Sequence, residues 1–487
     1  MNLKKDLCIK QSENIYSCLA LIDKNALGIA FVVDDNGILL GLMSDGDIRR
    51  AIIAGANQND SIEMHYNKST VTLSIDASET EIQKTLSDKI KIIPLLDNRG
   101  VVVDYASIQK LHNYQVMEPM LGGNELEYVT DCIKTNWISS QGKYVLRFEK
   151  MLKDQCGVDY CLATSNGTSA LHLALLSLGI GAGDEVIVPN LTFGASVNSI
   201  IHSGANPVLV DVDLDSWNLS PQMVREAITS KTKAIMPVHI YGNPCDMDAI
   251  MKIAEEHGLK VIEDCAEALG ASIGFSQVGT FGDAAAFSFF ANKIITCGEG
   301  GAVTFREKST YEKAKLLRDH GMSESKRYWH QEVGFNYRLT NIQAAIGCAQ
   351  LEQFHFFKSQ RSRVFSSYDE ILLPTGKFIR PKIAENADES YWIYTIIIKG
   401  DLDMNVVANN LSHKGVDSRP IFYPMSHMPA FQNVKICGSM KNSEFISSCG
   451  ISLPSKAMLT ESEISYICRE LLTVVNTLLS SQKNKNA

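Results

Sequence analysis

Short apolar runs alternate with helical apolar stripes along most of the chain. The runs are 160–163, DEVIVP (184–189), NPVLVDV (206–212), KAIMPVH (233–239), LKVIED (259–264), AAAFSFF (284–290) and 302–305. Each is brief, rich in β-branched or aromatic residues, and followed by polar residues or glycine, so each predicts a strand. The segments between them predict helices, and this alternation predicts α/β layering around a mainly parallel sheet flanked by helices. From about 385 the pattern changes to YWIYTIII followed by the amphipathic TESEISYICRELLTVVNTLL, which predicts a small C-terminal α+β subdomain. Residues 481–487 are polar and predict a frayed tail.

The first part of the chain repeats itself. IAFVVDDNGILLGLMSDGDIRRAI and KIIPLLDNRGVVVDYASIQKL each read as strand, Asp/Asn-Gly turn, strand, helix. Setting Gly37 opposite Gly100 aligns Ser44 with Ser107 and Asp47 with Lys110. A helical pattern precedes each copy, through Ile15, Cys18, Leu19 and Ile22 in the first and Ile82, Leu86 and Ile90 in the second. The domain reading is therefore a repeat pair over 1–112, a join over 113–120 broken by Pro119, a large domain over 121–384, the small subdomain over 385–480, and the tail.

Composition narrows the function classes. The net charge is −9, with 12 basic against 15 acidic residues in 1–112 and 34 against 40 in the rest. Neither part has the basic surplus of a nucleic-acid binder. The 12 cysteines include no Cys-x-x-Cys pair, which argues against a zinc ribbon or a dithiol redox site, and no metal is expected. The N-terminus lacks a signal-peptide core, and no run approaches the roughly 20 apolar residues of a membrane helix. The expected compartment is the cytoplasm.

Three features carry chemistry. The strand at 160–163 leads into Ser165-Asn166-Gly167-Thr168 and then an apolar helix. A glycine at a helix start lets phosphate approach free backbone N–H groups, although alone such a turn is an ordinary N-cap. Gly179-Ile180-Gly181-Ala182-Gly183 follows a helix, so it reads as a helix stop and not a dinucleotide fingerprint. Asp264 closes the apolar strand LKVIED, where a carboxylate can hold a pyridinium N–H or simply cap a helix. Lys293 is the one lysine between 262 and 307. At the dry mouth of a sheet its amine would have a lowered pKa and could form a Schiff base, whereas in a loop it would only be solvated.

A phosphate turn, then a carboxylate, then a lysine, each at a strand end, is what pyridoxal 5'-phosphate (PLP) chemistry requires. In this order they resemble the fold-type I aminotransferases. More narrowly, SNGTSALHLALLSLGIGAGDEVIVPNLTFGASVNSI, PVHIYGNPCDMDAI, VIEDCAEALGA, SFFANKIITCGEGG, LRDHGM and GFNYRLTNIQAAIGCAQLEQ resemble the DegT/StrS-type sugar-nucleotide aminotransferases over about 117–480.

That resemblance implies roles. Lys293 would form the Schiff base and shuttle the proton, and Asp264 would pair with the pyridine nitrogen. Gly167 and Thr168 would bind the phosphate, with Ser288 adding a hydroxyl. Phe193 would stack on the ring, and Asn336 would reach the phosphate of a neighbouring subunit, implying an obligate homodimer. Glu267 stands where the family commonly has Gln, so it is expected to be protonated or otherwise paired. His239, Tyr241, His320, Arg338, Arg419, Tyr423 and His427 are candidate contacts to the sugar and pyrophosphate. The implied partners are glutamate as amino donor and a nucleotide-linked 4-keto-6-deoxyhexose. ISSQGKYV, EDCAEALG and FYPMSHMPAF favour a GDP sugar, GDP-4-keto-6-deoxymannose, with a 3-keto or UDP/TDP sugar still open. A sibling branch that removes a hydroxyl has histidine at the lysine position, which Lys293 argues against.

The N-terminal repeat resembles a CBS-domain pair, an α+β module that binds adenosyl nucleotides. Ser44 and Asp47 match its ribose-binding pattern, whereas Lys110 departs from it, so at most one AMP/ATP site is expected. A docking or dimerisation module that binds nothing is the other reading. A protein that senses adenine nucleotides, with its PLP domain as scaffold, is the rival function.

Overall fold

The computed structural model of the chain describes residues 6–25, 27–87, 89–107 and 114–486. The chain divides into two compact units, residues 1–114 with 412–416, and residues 115–411 with 417–487. No helix among the described residues is long and apolar enough to cross a membrane.

The N-terminal unit is built twice from one plan. In the first half strand Cys8–Lys10 lies parallel to Ile29–Val33, which pairs antiparallel with Leu39–Ser44. In the second half Leu73–Ser74 lies parallel to Ile92–Leu96, which pairs antiparallel with Val102–Ser107. The register repeats as well: Ile29 faces Ser44, and Ile92 faces Ser107. Gly37 and Gly100 turn the two hairpins at φ 84° and 80°, a left-handed conformation open to glycine. The Asp34 carboxylate accepts from Asn36 and Ile38 N–H, and Asp97 does the same for Arg99 and Val101. The hairpins clasp each other, with Leu39 N donating to Gly100 O and Val102 N to Gly37 O. Helix Ile15–Asn25 buries Ile15, Cys18 and Ile22 as expected, but Leu19 faces outward. The second predicted helix covers Glu79–Thr85 and stops short of Leu86 and Ile90. Lys110 lies outside the described residues.

The large unit is organised by one eight-stranded sheet. Its strands are β1 (Tyr160–Thr164), β2 (Glu185–Pro189), β3 (Asn206–Val210), β4 (Thr232–Ile235), β5 (Lys260–Asp264), β6 (Ala284–Ser288), β7 (Gly301–Phe305) and β8 (Lys435–Cys437). The order across the sheet is β8-β3-β2-β4-β5-β6-β7-β1. Strands β8 to β6 are mutually parallel, and β7 is antiparallel to both neighbours. Val186, Val188, Leu209, Ile262 and Ala286 bury one face under the apolar helix α1 (Gly167–Ser177), and Ile187, Val208, Val210 and Ile235 bury the other. Burial on both faces explains why these strands read as continuous apolar runs.

Three boundaries differ from the sequence reading. The expected join at 113–120 carries Val116 and Met117 into the core beside Trp217, Tyr241 and Trp392, because two apolar side chains bury more readily there than in water. The C-terminal part forms its own antiparallel sheet from Phe378–Ile379, Thr395–Ile398, Gly450–Ser452 and Arg419–Pro420. That sheet begins before 385, and Lys435–Cys437 leaves this part of the chain to extend the large sheet as β8. The last helix runs on through the polar tail to Asn486.

Strand β7 passes against the entrance to α1. A Cβ on Gly301 would sit 2.4 Å from the Asn166 carbonyl and 2.7 Å from Gly167 N. Backbone offers no soft side chain to yield, so Gly301→Ala should cost about 2 kcal/mol. Urea denaturation against the parent protein measures that loss, and an unchanged midpoint would contradict this packing.

Candidate active site

The carboxyl ends of β1, β5 and β6 and the helix starts beyond them converge on one pocket, as expected at the strand ends of an α/β sheet. At α1, Asn166 Oδ1 accepts from Ser169 N at 2.8 Å and Ser169 Oγ accepts from Asn166 N at 3.2 Å. This reciprocal cap fixes the helix start. The N–H groups of Gly167 and Thr168 fall ahead of it, where no helix carbonyl can reach them. A Cβ on Gly167 would lie 2.9 Å from Ser288 Cβ, so glycine here lets the Ser288 side chain close against the cradle.

Asp264 ends β5 and is 5% exposed. Ser196 Oγ donates to its Oδ2 at 2.8 Å, and Ala266 N donates to Oδ1 at 3.1 Å. Thr192 Oγ1 lies 2.8 Å from Ser196 Oγ and continues the chain of hydroxyls. Burial pushes the Asp264 pKa up, while Ser196, Ala266 and the charge of Lys293 oppose it.

Lys293 comes from the turn after β6. Its Nζ lies 4.0 Å from Glu267 Oε1 and 3.8 Å from the centre of the Trp392 ring. Burial pulls the lysine pKa down, against the upward pull of Glu267 and Asp264. Burial raises Glu267 to about 7, opposed by Lys293 and by Tyr241 N, which donates to Oε2 at 2.7 Å. Glu267 is thus both paired and readily protonated near neutral pH.

Beside these groups opens a cavity of about 640 Å³. Thr168, Phe193, Asn198, Phe422, Tyr423 and Phe431 are among its walls. Phe193 precedes helix α2 (Gly194–His202) and is 61% exposed, with its ring 5.8 Å from that of Phe422. Tyr423 is exposed on the same wall.

The other candidates separate. His239 is withdrawn as a substrate contact. It is fully buried, its Nδ1 accepts from Cys245 N at 3.0 Å, and its Nε2 faces Glu263 Oε2 at 3.2 Å. Glu263 also accepts from Gly279, Phe281 and Gly282 N–H. His239, Glu263 and Cys265 bring ligand atoms within 4.8 Å of one another. The imidazole nitrogens and carboxylate oxygens take protein hydrogen bonds, and these brace the sheet behind Asp264. Tyr241 is buried too, with its hydroxyl accepting from Phe422 N at 3.0 Å. Its ring is stacked against those of Trp392 and Phe422.

Asn336, Arg338 and His320 form a separate cluster. Arg338 donates to Asn336 Oδ1 at 3.0 Å and Asp319 Oδ1 at 2.8 Å, and lies 3.2 Å from His320 Nε2. Arg419 is exposed and lies 3.6 Å from Asp417. His427 is exposed with Nε2 3.1 Å from Glu444. Sequence reasoning missed Ser196 and Trp392. Ser196 lies three residues after Phe193 in a segment already singled out. Trp392 is one aromatic residue inside an apolar strand run, with nothing local to mark it.

The pocket fits PLP. It offers a helix-start cradle that only a glycine can close, a buried carboxylate with two donors steadying its charge, and a largely buried amine whose pKa is depressed. A profile of the DegT/DnrJ/EryC1/StrS aminotransferase family matches residues 119–472 and leaves residues 1–118 outside it. The chain is 46% identical over 364 residues to the GDP-perosamine synthase of Caulobacter vibrioides, covering 74% of this chain and 98% of the relative. It is 43% identical over 356 residues to the GDP-perosamine synthase of Escherichia coli O157:H7, covering 73% and 97%. Among solved structures, Helicobacter pylori PseC, an aminotransferase involved in the biosynthesis of pseudoaminic acid, superposes with a TM-score of 0.70 at 28% identity, covering 74% and 99%. The fold and site define a PLP-dependent aminotransferase of fold type I. The chain belongs to the DegT/DnrJ/EryC1/StrS family of sugar aminotransferases.

Ser196→Ala removes a donor to a buried carboxylate. Such a bond contributes about 1.5 kcal/mol, so the variant should retain PLP roughly tenfold more weakly. Equilibrium dialysis of the cofactor measures this, and parent-like retention would contradict the role given to Ser196.

Proposed function

We propose that this chain transfers the amino group of glutamate to C4 of GDP-4-keto-6-deoxymannose, yielding GDP-perosamine for a surface polysaccharide such as an O-antigen. The observation that carries the reading is the largely buried amine of Lys293 facing Glu267, in a chain whose close relatives include two GDP-perosamine synthases.

Gly167, Thr168 and Ser288 would hold the cofactor's phosphate, Asp264 its pyridine nitrogen, and Phe193 a face of its ring. Bound there, PLP supplies an electron sink that acidifies the carbon bearing the transferred nitrogen. The Lys293 amine then serves as the base that takes the proton from the donor carbon and returns it to the sugar carbon. Burial lowers its pKa and so shifts it toward the free amine, the form that can accept a proton. Glu267, its pKa raised by burial, can share a proton with that amine. The apolar part of the cavity suits a deoxy sugar, and Tyr423 supplies a polar group at its wall. Asn336, Arg338 and His320 would act from a second copy, making the enzyme a cytoplasmic homodimer. Arg419 and His427 are further candidates for the nucleotide diphosphate.

A screen of nucleotide keto-sugars with glutamate, read by product mass, tests the reading. GDP-4-keto-6-deoxymannose should give the 4-amino product, with parallel-line kinetics because the two substrates use the site in turn. Lys293→Ala should lower turnover about 10³-fold or more. Turnover confined to a UDP or TDP sugar would replace the substrate, and a ternary-complex pattern would reject the two-stage scheme.

For the N-terminal unit we propose a CBS-like pair that serves as a docking module. Ser44 caps helix Asp45–Ile53 and Asp47 completes the cap. Ser44 Oγ donates to Asp47 Oδ2 at 2.6 Å, and Arg50 holds Oδ1 at 2.7 Å. The two residues expected to meet a ribose are engaged with each other. Ser44→Ala should therefore cost about 1 kcal/mol, and AMP or ATP should change neither melting nor turnover. A nucleotide-dependent shift in either would restore the sensor reading.

A further inference from the structure

We propose that Trp392 is a positioning residue for Lys293: its indole face holds the amine, and its N–H fixes the peptide just before the lysine. The inference rests on Lys293 being the reactive amine. Two contacts to one ring carry it. Lys293 Nζ lies 3.8 Å from the ring centre, and Trp392 Nε1 donates to Asn292 O at 2.8 Å. A lysine side chain is a flexible four-carbon stem. Gripping both its tip and the backbone at its root leaves it few arrangements.

The indole is itself held on every side. It is 3% exposed, and its ring stacks on Tyr241 at 6.0 Å and 17°. Tyr241 stacks in turn on Phe422 at 5.2 Å and 20°. Ser390 Oγ donates to Glu267 O at 2.6 Å, tying the segment before Trp392 to the carboxylate that faces the lysine. From the other side Arg361 Nη1 donates to the Trp392 carbonyl at 2.8 Å and to Met117 Sδ at 3.4 Å. Arg361 is buried, its Nε has no partner, and its pKa is pushed down to about 10 by burial. Burying a guanidinium without a carboxylate is costly, and here one of its few bonds secures the Trp392 backbone. The lysine is delivered by the large sheet, whereas its clamp enters from the stretch leading into the C-terminal sheet at Thr395.

The clamp has an electrostatic consequence. The face of an indole attracts an ammonium more than a neutral amine. Trp392 therefore acts with Glu267 and Asp264, the carboxylates that face Lys293, and against burial.

The test uses the full chain stripped of cofactor. The rate at which an acylating reagent labels Lys293 is followed against pH by peptide mass spectrometry, with exposed Lys150 as internal reference. Trp392→Phe keeps the cover but weakens the ring's attraction and removes the N–H. The Lys293 midpoint should fall by about one pH unit, so labelling below it should quicken roughly tenfold. In the loaded enzyme kcat should fall while the KM for keto-sugar holds. A purely space-filling tryptophan would leave the midpoint in place. Should Trp392→Phe fail to fold, replacing all four tryptophans with 5-fluorotryptophan weakens the ring's attraction at nearly constant shape and should move the midpoint the same way. A midpoint that stays or rises in either folded protein overturns the proposal. Borohydride reduction of PLP-loaded protein is the separate control. A label on another lysine rejects Lys293 itself, whereas a label on Lys293 with a fixed midpoint rejects only the role of Trp392.

Discussion

Three ionisable groups lie within electrostatic reach of one another and largely out of water, and the cost of burying charge governs how each behaves. Water stabilises an ammonium or a carboxylate far better than protein does, so burial pulls Lys293 down and pushes Asp264 and Glu267 up. The protein answers differently for each. Asp264 receives Ser196 and Ala266 and is steadied as an anion, the form able to hold a protonated ring nitrogen. Glu267 receives one backbone N–H, and burial leaves its pKa raised. Lys293 receives an aromatic face and a carboxylate at 4.0 Å, which together keep an otherwise destabilised ammonium within reach. Two carboxylates and one amine are thus set apart in their protonation by their surroundings alone.

Such tuning needs a frame that does not give. Behind Asp264 the neighbouring Glu263 points the opposite way, as alternate residues of a strand must, and takes four hydrogen bonds from His239, Gly279, Phe281 and Gly282. His239 N also donates to the Asp264 carbonyl at 3.2 Å. One residue of β5 therefore faces chemistry while the next nails the strand to its surroundings. The same division holds at Gly301, where β7 packs on the backbone of the phosphate turn and admits no side chain.

This division also explains what could be read from the sequence. The sheet was legible because strands buried on both faces are continuous apolar runs, and Asp264 and Lys293 were legible because ionisable groups at such strand ends stand out. The repeat was legible through Gly37 and Gly100. His239 misled because a strand-end position does not reveal which side of the sheet a side chain meets. Trp392 was invisible because its role depends on a meeting with a lysine about a hundred residues earlier, and an aromatic residue in an apolar run reads as core. Lys435–Cys437 was missed because three residues carry no period, and Val116 and Met117 because two apolar residues beside a proline look like a join. Whatever local pattern dictates could be read, and whatever long-range packing selects could not.

The N-terminal unit sharpens the point. Ser44 and Asp47 are spaced as a ribose-binding pair and equally as a capping box, since both arrangements need a hydroxyl and a carboxylate three residues apart at a helix start. In the structure the helix claims them: Asp47 accepts from both Ser44 Oγ and Ser44 N. One cleft among the described residues of this unit is lined by Cys8, Lys10, Asp34, Asp35 and Gly37 among others, and does not include that pair. Its two halves meet through main-chain bonds between their hairpin turns, so neither half completes its hydrogen bonding without the other.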